Sequence, residues 1–192
     1  MRIILASKSP RRRDILEGYS NERGFSFEII TRPTDENIGD IHPRDGVAIL
    51  AVRKGEAVAR EYPEALVISS DTLVELDGAP LGKPTDSEDA KKMLRALSGR
   101  AHNVHTGIAI HYKGSVLSGV ASTAVIFKEL SEFEIEEYVK SGEPMDKAGA
   151  YGIQGGAGKF VLRYDGEFDT VVGFNMTLLR SLLMSAEPDF EW

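Results

Sequence analysis

A short segment near the start of the chain reads Leu5-Ala6-Ser7-Lys8-Ser9-Pro10-Arg11-Arg12-Arg13, and the remaining motifs can be arranged around it. The apolar residues Ile3-Ile4-Leu5 lead into it and predict a buried strand. Ser9 is a preferred helix N-cap and Pro10 is tolerated at the first helical position, so a helix is expected to follow. The sequence therefore predicts a strand that runs directly into a helix N-terminus.

Three arginines in the first turn of that helix point to an anionic ligand. Cations at a helix N-terminus oppose the helix dipole, so helix stability alone does not select them. Free N–H groups at such a terminus bind anions, and arginine pairs with phosphate through two parallel hydrogen bonds. We predict a phosphate site that includes Arg11, Arg12 and the donors of Ser7 and Ser9. The alternative is a solvated basic turn.

The composition excludes several classes of protein. The 192 residues carry a formal net charge of −7, which argues against a nucleic-acid partner, so a local basic cluster points to a small anion. The absence of cysteine excludes disulfides, thiolate catalysis and cysteine-ligated zinc. Because no apolar run has membrane-spanning length and no signal sequence is recognisable, we expect a cytoplasmic enzyme or binding protein with no membrane partner, forming one domain over residues 1–192.

Apolar periodicity and turn residues predict alternating strands and helices. Beyond the first strand and helix, strands are predicted over 25–30, 65–76, 102–111, 116–127 and 160–163, and helices over 43–60, 85–97, 131–141 and 170–184. Two of the helix starts are predicted from the capping-box patterns Thr85-x-x-Glu88 and Ser131-x-x-Glu134. Lys113-Gly114 predicts a hairpin. These elements predict an α/β fold with a mixed sheet.

Two acidic positions are candidates for catalysis or metal binding. Asp71 directly follows Val67-Ile68-Ser69-Ser70, where the buried part of the strand predicted over 65–76 should emerge, and a charge there is costly unless it is paired or bound to a metal. Ligands of α/β folds gather at strand ends, so Asp71 is a candidate base or metal ligand, the alternative being a residue that caps a turn. Glu36 lies on a polar loop, and the alternative to a functional role is that its side chain is simply exposed to solvent. If it faces Asp71, the two carboxylates suit Mg²⁺ together with substrate phosphates.

Two lysines and one glutamine complete the candidate set. Lys83 lies in the fixed turn Gly82-Lys83-Pro84 and Lys54 on a predicted helix, and both are candidate phosphate ligands, although surface lysines are common. Gln154 lies in a glycine-rich loop over residues 149–158, where glycines allow close approach to a ligand and an amide reads a base edge. The alternative for this loop is a flexible surface segment. The four histidines do not form a convincing metal set.

Taken together, these residues resemble the Maf family of nucleotide pyrophosphatases. The matching motifs, in chain order, are Leu5-Ala6-Ser7-x-Ser9-Pro10-Arg11-Arg12, Asp35-Glu36, Lys54, Asp71-Thr72, Gly82-Lys83-Pro84, Leu97-Ser98-Gly99, Thr106-Gly107, Asp146 to Gly155, and Val171-Val172-Gly173. The resemblance implies an elongated, bent mixed sheet flanked by helices, with two lobes around a cleft, similar to the inosine triphosphatase fold and often found as a homodimer. It also implies cleavage of a nucleoside triphosphate to the monophosphate and pyrophosphate with a divalent metal, Mg²⁺ or Mn²⁺.

The resemblance also indicates a branch of the family. Relatives that act on 7-methyl-GTP carry an aromatic residue, a glutamine and an acidic residue where this chain has Arg11, Thr72 and Gln154. A cationic base favours an aromatic face and a carboxylate, which are absent at these positions, so dTTP and UTP are the expected substrates. Departures at Phe168-Asp169-Thr170 and Gly173-Phe174-Asn175-Met176 leave the choice between normal and modified pyrimidine nucleotides open.

The expected roles follow from the resemblance and from the residue chemistry. Asp71 is the catalytic residue and, with Glu36, a metal ligand, while Lys54 and Lys83 join the phosphate site. Arg11, Thr72 and Gln154 select the substrate. The alternative function is that of a nucleotide-binding regulator of septum formation and cell division, which would need the pocket but neither Asp71 nor the metal.

Overall fold

The structure is a computed structural model that describes residues 1–190 and residue 192. It divides into two compact units. The first consists of Met1–Asp71, Thr106–Ala121 and Gly173–Trp192, and the second of Thr72–His105 and Ser122–Val172. The single domain over residues 1–192 stays a prediction. Within the described residues, no helix combines the length and the apolar character that a bilayer crossing requires.

The described residues form strands and helices in mixed order. The strands are β1 (Ile3–Leu5), β2 (Glu28–Ile29), β3 (Leu66–Leu76), β4 (Ala79–Leu81), β5 (Ala101–Tyr112), β6 (Ser115–Phe127) and β7 (Val161–Asp165). The helices are α1 (Pro10–Arg23), α2 (Pro43–Ala59), α3 (Ser87–Leu97), α4 (Glu132–Lys140), α5 (Phe168–Val172) and α6 (Met176–Ala186). Short 3₁₀ segments lie at Glu143–Asp146, Ala148–Ala150 and Gly156–Phe160.

The described strands form one sheet in the order β2-β1-β3-β5-β6-β7, with β4 paired to β3. β1 is parallel to β2 and β3, whereas β4 and β7 are antiparallel to β3 and β6. The β5–β6 hairpin turns at Lys113 and Gly114 with φ angles of 48° and 77°, the backbone that two-residue hairpin loops require. The predicted α/β fold, with a mixed sheet flanked by helices, is confirmed.

The first unit is organised by β1, which is buried on both faces. Ile3 and Leu5 pack into a cluster with Leu16 of α1, while Ile4 and Ala6 pack into a second cluster on the opposite face. Alternate residues of a strand point to opposite faces, so a short continuous apolar run serves two cores at once. This double burial holds the end of β1, and therefore the start of α1, in place.

The second unit has its own apolar core, in which aromatic rings meet edge to face. The ring of Phe127 lies 4.9 Å from Tyr151 and 6.1 Å from Phe160, and Tyr138 lies 5.3 Å from Phe160. Tyr138 and Phe160 come from α4 and from the segment that follows the glycine-rich loop. The rings therefore tie both ends of that loop to the core of the unit.

Some sequence-based element boundaries are wrong. The N-cap of α3 is Asp86, whose side chain accepts from the Asp89 amide, so the prediction that Thr85 caps this helix in a capping box is wrong. The capping box at Ser131 is confirmed. The strand predicted over 25–30 shrinks to Glu28–Ile29. The helix predicted over 170–184 is two helices, because Gly173 adopts a φ of 108° and Asn175 caps α6.

Candidate active site

The N-terminus of α1 is built as the sequence predicts. Ser9 has extended backbone angles, and its side chain accepts from the Arg12 amide at 3.5 Å. Pro10 is the first helical residue. Ser7 is buried, and its hydroxyl accepts from the Ser9 amide at 3.3 Å. The two serines therefore shape the turn between β1 and α1, and their contacts with phosphate stay a prediction.

Arg12 ties three parts of the first unit together. Its Nε donates to the Gly173 carbonyl at 2.8 Å, and its Nη1 donates to the Ser70 carbonyl at 2.8 Å and to the Ser7 hydroxyl at 3.3 Å. Burial lowers the pKa of the Arg12 guanidinium, and the charge of Asp71 acts in the opposite direction. Arg12 therefore has a structural role that the sequence did not predict, and its phosphate role stays a prediction.

Gly173 is a site component that sequence reasoning missed. Its carbonyl accepts from Arg12 and also from the Ser70 hydroxyl, at 3.1 Å. Prediction of a continuous helix from 170 to 184 hid this role, because a carbonyl inside a helix is used by the helix itself. A glycine followed by Asn175, a preferred N-cap residue, was the available signal that the helix breaks here.

Lys54 joins the two predicted carboxylates. Its Nζ donates to Asp71 Oδ1 at 2.5 Å and forms an ion pair with Glu36 Oε1 at 2.8 Å. The Asp71 side chain is only 12% exposed and that of Lys54 20%, whereas that of Glu36 is 63% exposed. The structure therefore brings Asp71, Glu36 and Lys54 together. Lys54 is positioned to orient the carboxylates, and its contact with phosphate stays a prediction.

The loop that carries Glu36 is held by the neighbouring residue of α2. Arg53 Nη1 donates to the Asn37 carbonyl at 2.7 Å and to the Asp35 carbonyl at 3.4 Å. The Asn37 amide in turn donates to Asp35 Oδ1 at 2.9 Å. Two adjacent cations of α2 therefore hold this loop, because Arg53 bonds its backbone and Lys54 pairs with the Glu36 side chain. This role of Arg53 was not predicted from the sequence, although Arg53 directly precedes Lys54.

The carboxylates fit a hard cation, provided that a substrate supplies further ligands. Oxygens of Asp71 and Glu36 both lie within 2.8 Å of one ammonium nitrogen, so they converge on a point that a cation occupies. Within the described residues, no group of three or more histidine, aspartate or glutamate side chains is arranged to hold a metal. Mg²⁺ is commonly held by one or two carboxylates with waters and phosphate oxygens completing its shell.

The side chains of Arg11 and Lys83 differ from those of Arg12 and Lys54 in having no internal partner. Among the described residues, neither makes a hydrogen bond or an ion pair. Arg11 follows Pro10 in the first turn of α1 and is half-buried, and Lys83 is exposed in the second unit. Both side chains therefore remain available to a ligand, and their predicted roles are untested.

Thr72 and Gln154 also belong to the second unit. Thr72 follows Asp71 in β3 and is half-buried, whereas Gln154 is exposed on the glycine-rich loop. The loop contacts the turn that carries Lys83, because the Gly149 amide donates to the Gly82 carbonyl at 3.0 Å. The loop folds into short 3₁₀ segments rather than an extended excursion. The specificity roles of Thr72 and Gln154 stay predictions.

The histidines have separate partners. His42 caps α2, and His111 Nε2 bonds the Val52 carbonyl at 3.1 Å. In the second unit, His102 Nε2 lies 2.8 Å from the Tyr151 hydroxyl, and burial lowers the pKa of His102 to about 4. His105 bonds Ser122 and Glu75, each at 2.7 Å. These contacts give each histidine a distinct packing role.

Comparison with known proteins gives several similar chains. A dTTP/UTP pyrophosphatase of Pelotomaculum thermopropionicum is 46% identical over 94% of each chain. The proteins of the same name from a Geobacillus species and from Shewanella denitrificans are 47% and 45% identical, over 91% and 94% of this chain and 92% and 93% of their own lengths. A crystal structure of a nucleoside-triphosphatase/dITP/XTP pyrophosphatase from Mycobacterium abscessus aligns with a TM-score of 0.42 and 12% identity, over 65% of this chain and 74% of that one.

The family assignment rests on the length of the match as well as on the motifs. The Maf-like protein family matches residues 2–186, which include the α1 N-terminus, Asp71, Lys54 and Gln154. The chain belongs to the Maf-like protein family.

Proposed function

We propose that this chain hydrolyses nucleoside triphosphates between the α- and β-phosphates, releasing the monophosphate and pyrophosphate, with dTTP and UTP as preferred substrates. The observation that carries the proposal is the bridge from Lys54 to Asp71 and Glu36. The pyrimidine assignment is supported by relatives named dTTP/UTP pyrophosphatase at 45–47% identity. Such an enzyme would remove unwanted triphosphates from the nucleotide pool.

In this proposal Asp71 is the general base. Lys54 engages Oδ1, so Oδ2 accepts the proton of the water that attacks phosphorus. The ammonium group also holds the carboxylate in a single orientation, which lowers the entropic cost of reaching the reactive geometry. The bond between the α- and β-phosphates breaks, and the bridging oxygen leaves with pyrophosphate.

The phosphate chain is bound by the basic residues. Arg11 and the α1 N-terminus would supply donors to the phosphates, and Lys83 would supply a cation. Arg12, in addition to its predicted contact, fixes the segment at Gly173 through its hydrogen bonds. Neutralisation of charge on the phosphate oxygens is the largest contribution that a protein makes to this class of reaction.

Glu36 and Asp71 would hold the divalent cation, Mg²⁺ or Mn²⁺. When bound, the cation would neutralise part of the negative charge of the polyphosphate. An oxygen-only donor set favours these hard cations over zinc or copper. Lys54 contacts the same two carboxylates, so the cation would share them with its ammonium, which keeps its hydrogen bond to Asp71 Oδ1.

In this proposal the amide of Gln154 reads the base, and Arg11 and Thr72 contribute to its selection. An amide presents one acceptor and two donors, which complement the N3–H and the carbonyls of uracil or thymine. Cytosine reverses part of this pattern, so CTP should leave polar groups unpaired unless the amide flips. Unpaired buried polar groups are costly, and this is how such a site rejects the wrong base.

The deciding experiment compares kcat/KM for dTTP, UTP, CTP, GTP and 7-methyl-GTP by release of pyrophosphate. We expect dTTP and UTP to exceed the others by about tenfold or more. Release of phosphate instead of pyrophosphate contradicts the reaction assigned. A preference for 7-methyl-GTP contradicts the pyrimidine assignment alone.

Metal dependence is tested by chelation and by Glu36→Gln. Excess chelator should abolish hydrolysis. Glu36→Gln should raise the Mg²⁺ concentration for half-maximal activity by about tenfold, because one ligand charge is lost. Glu56→Gln is the matched control, since Glu56 is exposed on α2 and pairs with Arg60. Full activity in chelator rules out the metal.

The alternative of a cell-division regulator without catalysis is not favoured. Such a protein has no need for a lysine that orients two carboxylates. A homodimer, a cytoplasmic location and the absence of nucleic-acid binding stay predictions from the sequence.

A further inference from the structure

Two residues outside the predicted site hold the loop that carries Gln154. The Tyr138 hydroxyl accepts from the Gly152 amide at 3.1 Å and donates to Glu143 Oε1 at 3.0 Å. The other oxygen of the same carboxylate, Glu143 Oε2, accepts from the Gly156 amide at 2.9 Å. Gly152 and Gly156 flank Gln154 at equal distances along the chain. One hydrogen-bonded pair of side chains therefore holds the loop backbone on both sides of Gln154.

The glycines of the loop are explained by the same pair. A Cβ atom on Gly155 would collide with the Glu143 carboxylate, and one on Gly156 would lie 3.3 Å from both Glu143 Oε2 and the Tyr138 ring. A Cβ on Gly152 would lie 2.7 Å from Lys147 Cε. These glycines do not need positive φ angles. Their small size lets the loop pack against Glu143 and Tyr138, and not only against a ligand as the sequence analysis expected.

Tyr138 and Glu143 are themselves fixed in position. Tyr138 is buried, and its ring packs on Phe160. Burial raises the pKa of Tyr138 well above its usual range, so the hydroxyl keeps its proton and can donate to Glu143. Glu143 lies in the 3₁₀ segment Glu143–Asp146, and its carbonyl accepts from Lys147 Nζ at 2.7 Å. A mobile loop needs no such support.

We propose that Glu143 and Tyr138 are positioning residues that set the place of Gln154 and thereby determine base specificity. The proposal rests on the proposed function, in which Gln154 reads the base. The amide of Gln154 makes no hydrogen bond within the described residues, so the loop backbone is what restrains the position from which the side chain reaches a base. A small displacement of a recognition group is enough to weaken discrimination, because directed hydrogen bonds tolerate little misalignment.

The test uses Tyr138→Phe, which removes the hydroxyl but keeps the ring on Phe160. The ratio of kcat/KM for UTP to that for CTP should fall by about tenfold, mostly through KM for UTP, with kcat for UTP within about twofold of the parent. Glu143→Ala should reduce the ratio as strongly. Glu143→Gln keeps one acceptor oxygen, so its UTP-to-CTP ratio should lie closer to that of the parent than to that of Glu143→Ala. A merely structural role would lower kcat/KM for both nucleotides in proportion and leave the ratio unchanged.

Matched controls are available in the same unit. Tyr164→Phe removes an exposed hydroxyl on β7, and Glu137→Gln removes an exposed charge on α4 that pairs with Lys140. Neither should change the ratio. If either control lowers it as much as Tyr138→Phe does, the proposal is overturned.

Hydrogen exchange of the nucleotide-free protein provides a readout that does not depend on catalysis. The Gly156 amide should exchange about tenfold faster in Glu143→Ala, and the Gly152 amide about tenfold faster in Tyr138→Phe, because each loses its acceptor. Unchanged exchange overturns the proposal. A parent enzyme without preference for UTP contradicts the proposed function, whereas a parent that prefers UTP and a Tyr138→Phe variant that keeps the preference contradict the positioning role alone.

Discussion

The two units hold their candidate functional residues by different means. In the first, charged side chains contact one another, as Lys54 does with Asp71 and Glu36. In the second, Gln154 is carried by a loop whose backbone amides bond one tyrosine and one glutamate. The first arrangement depends on charge. The second depends on backbone hydrogen bonds and on the close packing of the loop glycines against Glu143 and Tyr138. A change of charge should therefore act most strongly in the first unit, and a change of size or of burial in the second.

The largest effect is expected from Asp71→Asn. The amide is nearly isosteric but cannot accept a proton, so turnover of dTTP should fall by about 10²- to 10⁴-fold. The free energy of unfolding should change far less. Asp71 lies in the middle of β3, and Asp77 directly follows the strand in a turn. Asp77→Asn is the matched control, because Asp77 is exposed and asparagine tolerates its left-handed φ of 54°. Turnover of Asp71→Asn within tenfold of the parent would show that this carboxylate is not the base.

A smaller effect is expected from the buried His102 of the second unit. Burial lowers its folded pKa to about 4, from 6.5 in the unfolded chain. The folded state resists protonation of His102. The contribution of this residue to the free energy of unfolding is therefore complete above pH 6.5 and is lost as the pH falls toward 4. The loss amounts to about 3 kcal/mol in the free energy of unfolding.

Denaturant unfolding at pH 7 and pH 4.5 measures this loss, with His102→Gln as the comparison. Glutamine cannot titrate in this range but can still form a hydrogen bond with the Tyr151 hydroxyl. The variant should therefore lose less stability than the parent between the two pH values. Equal losses in the two proteins would assign the pH dependence to other groups.

The smallest effects come from a pair of glycine substitutions. Gly18→Ala lies within α1, where a Cβ meets nothing within 4 Å, and it should stabilise the protein by up to about 1 kcal/mol. Gly155→Ala displaces the Glu143 carboxylate and should destabilise the protein by about 1 kcal/mol through the weakened Gly156 hydrogen bond. Thermal unfolding of both variants measures the contrast, and two effects of the same sign would contradict it.

Much of the fold was predictable because its signals are local. Ile3-Ile4-Leu5, Ser9-Pro10 and the Ser131 capping box each specify an element from adjacent residues, and all three are confirmed. The break at Gly173 was missed because the flanking residues continue a helical pattern across it. The N-cap of α3 was misplaced because Thr85 and Asp86 are both good caps, and the chain geometry selects between them.

The candidate site was predicted in its residue types more than in its contacts. Asp71, Glu36 and Lys54 were identified, but the lysine was expected on phosphate and not between the carboxylates. Arg53, Glu143 and Tyr138 were missed, because each acts on a backbone carbonyl or amide of a distant segment. Any residue can supply such a carbonyl or amide, so the sequence carries no mark of the partner.

The sequence by itself determined the strand–helix junction, the alternation of elements and the identity of the charged and amide side chains. Those features follow from local conformational preference and from side-chain chemistry, which are properties of short segments. The tertiary structure alone decided that Lys54 joins Asp71 to Glu36, that Arg12 bonds Gly173 across 161 positions of the chain, and that Tyr138 and Glu143 hold the loop of Gln154. These contacts exist only when packing of the apolar cores brings distant segments within hydrogen-bonding distance.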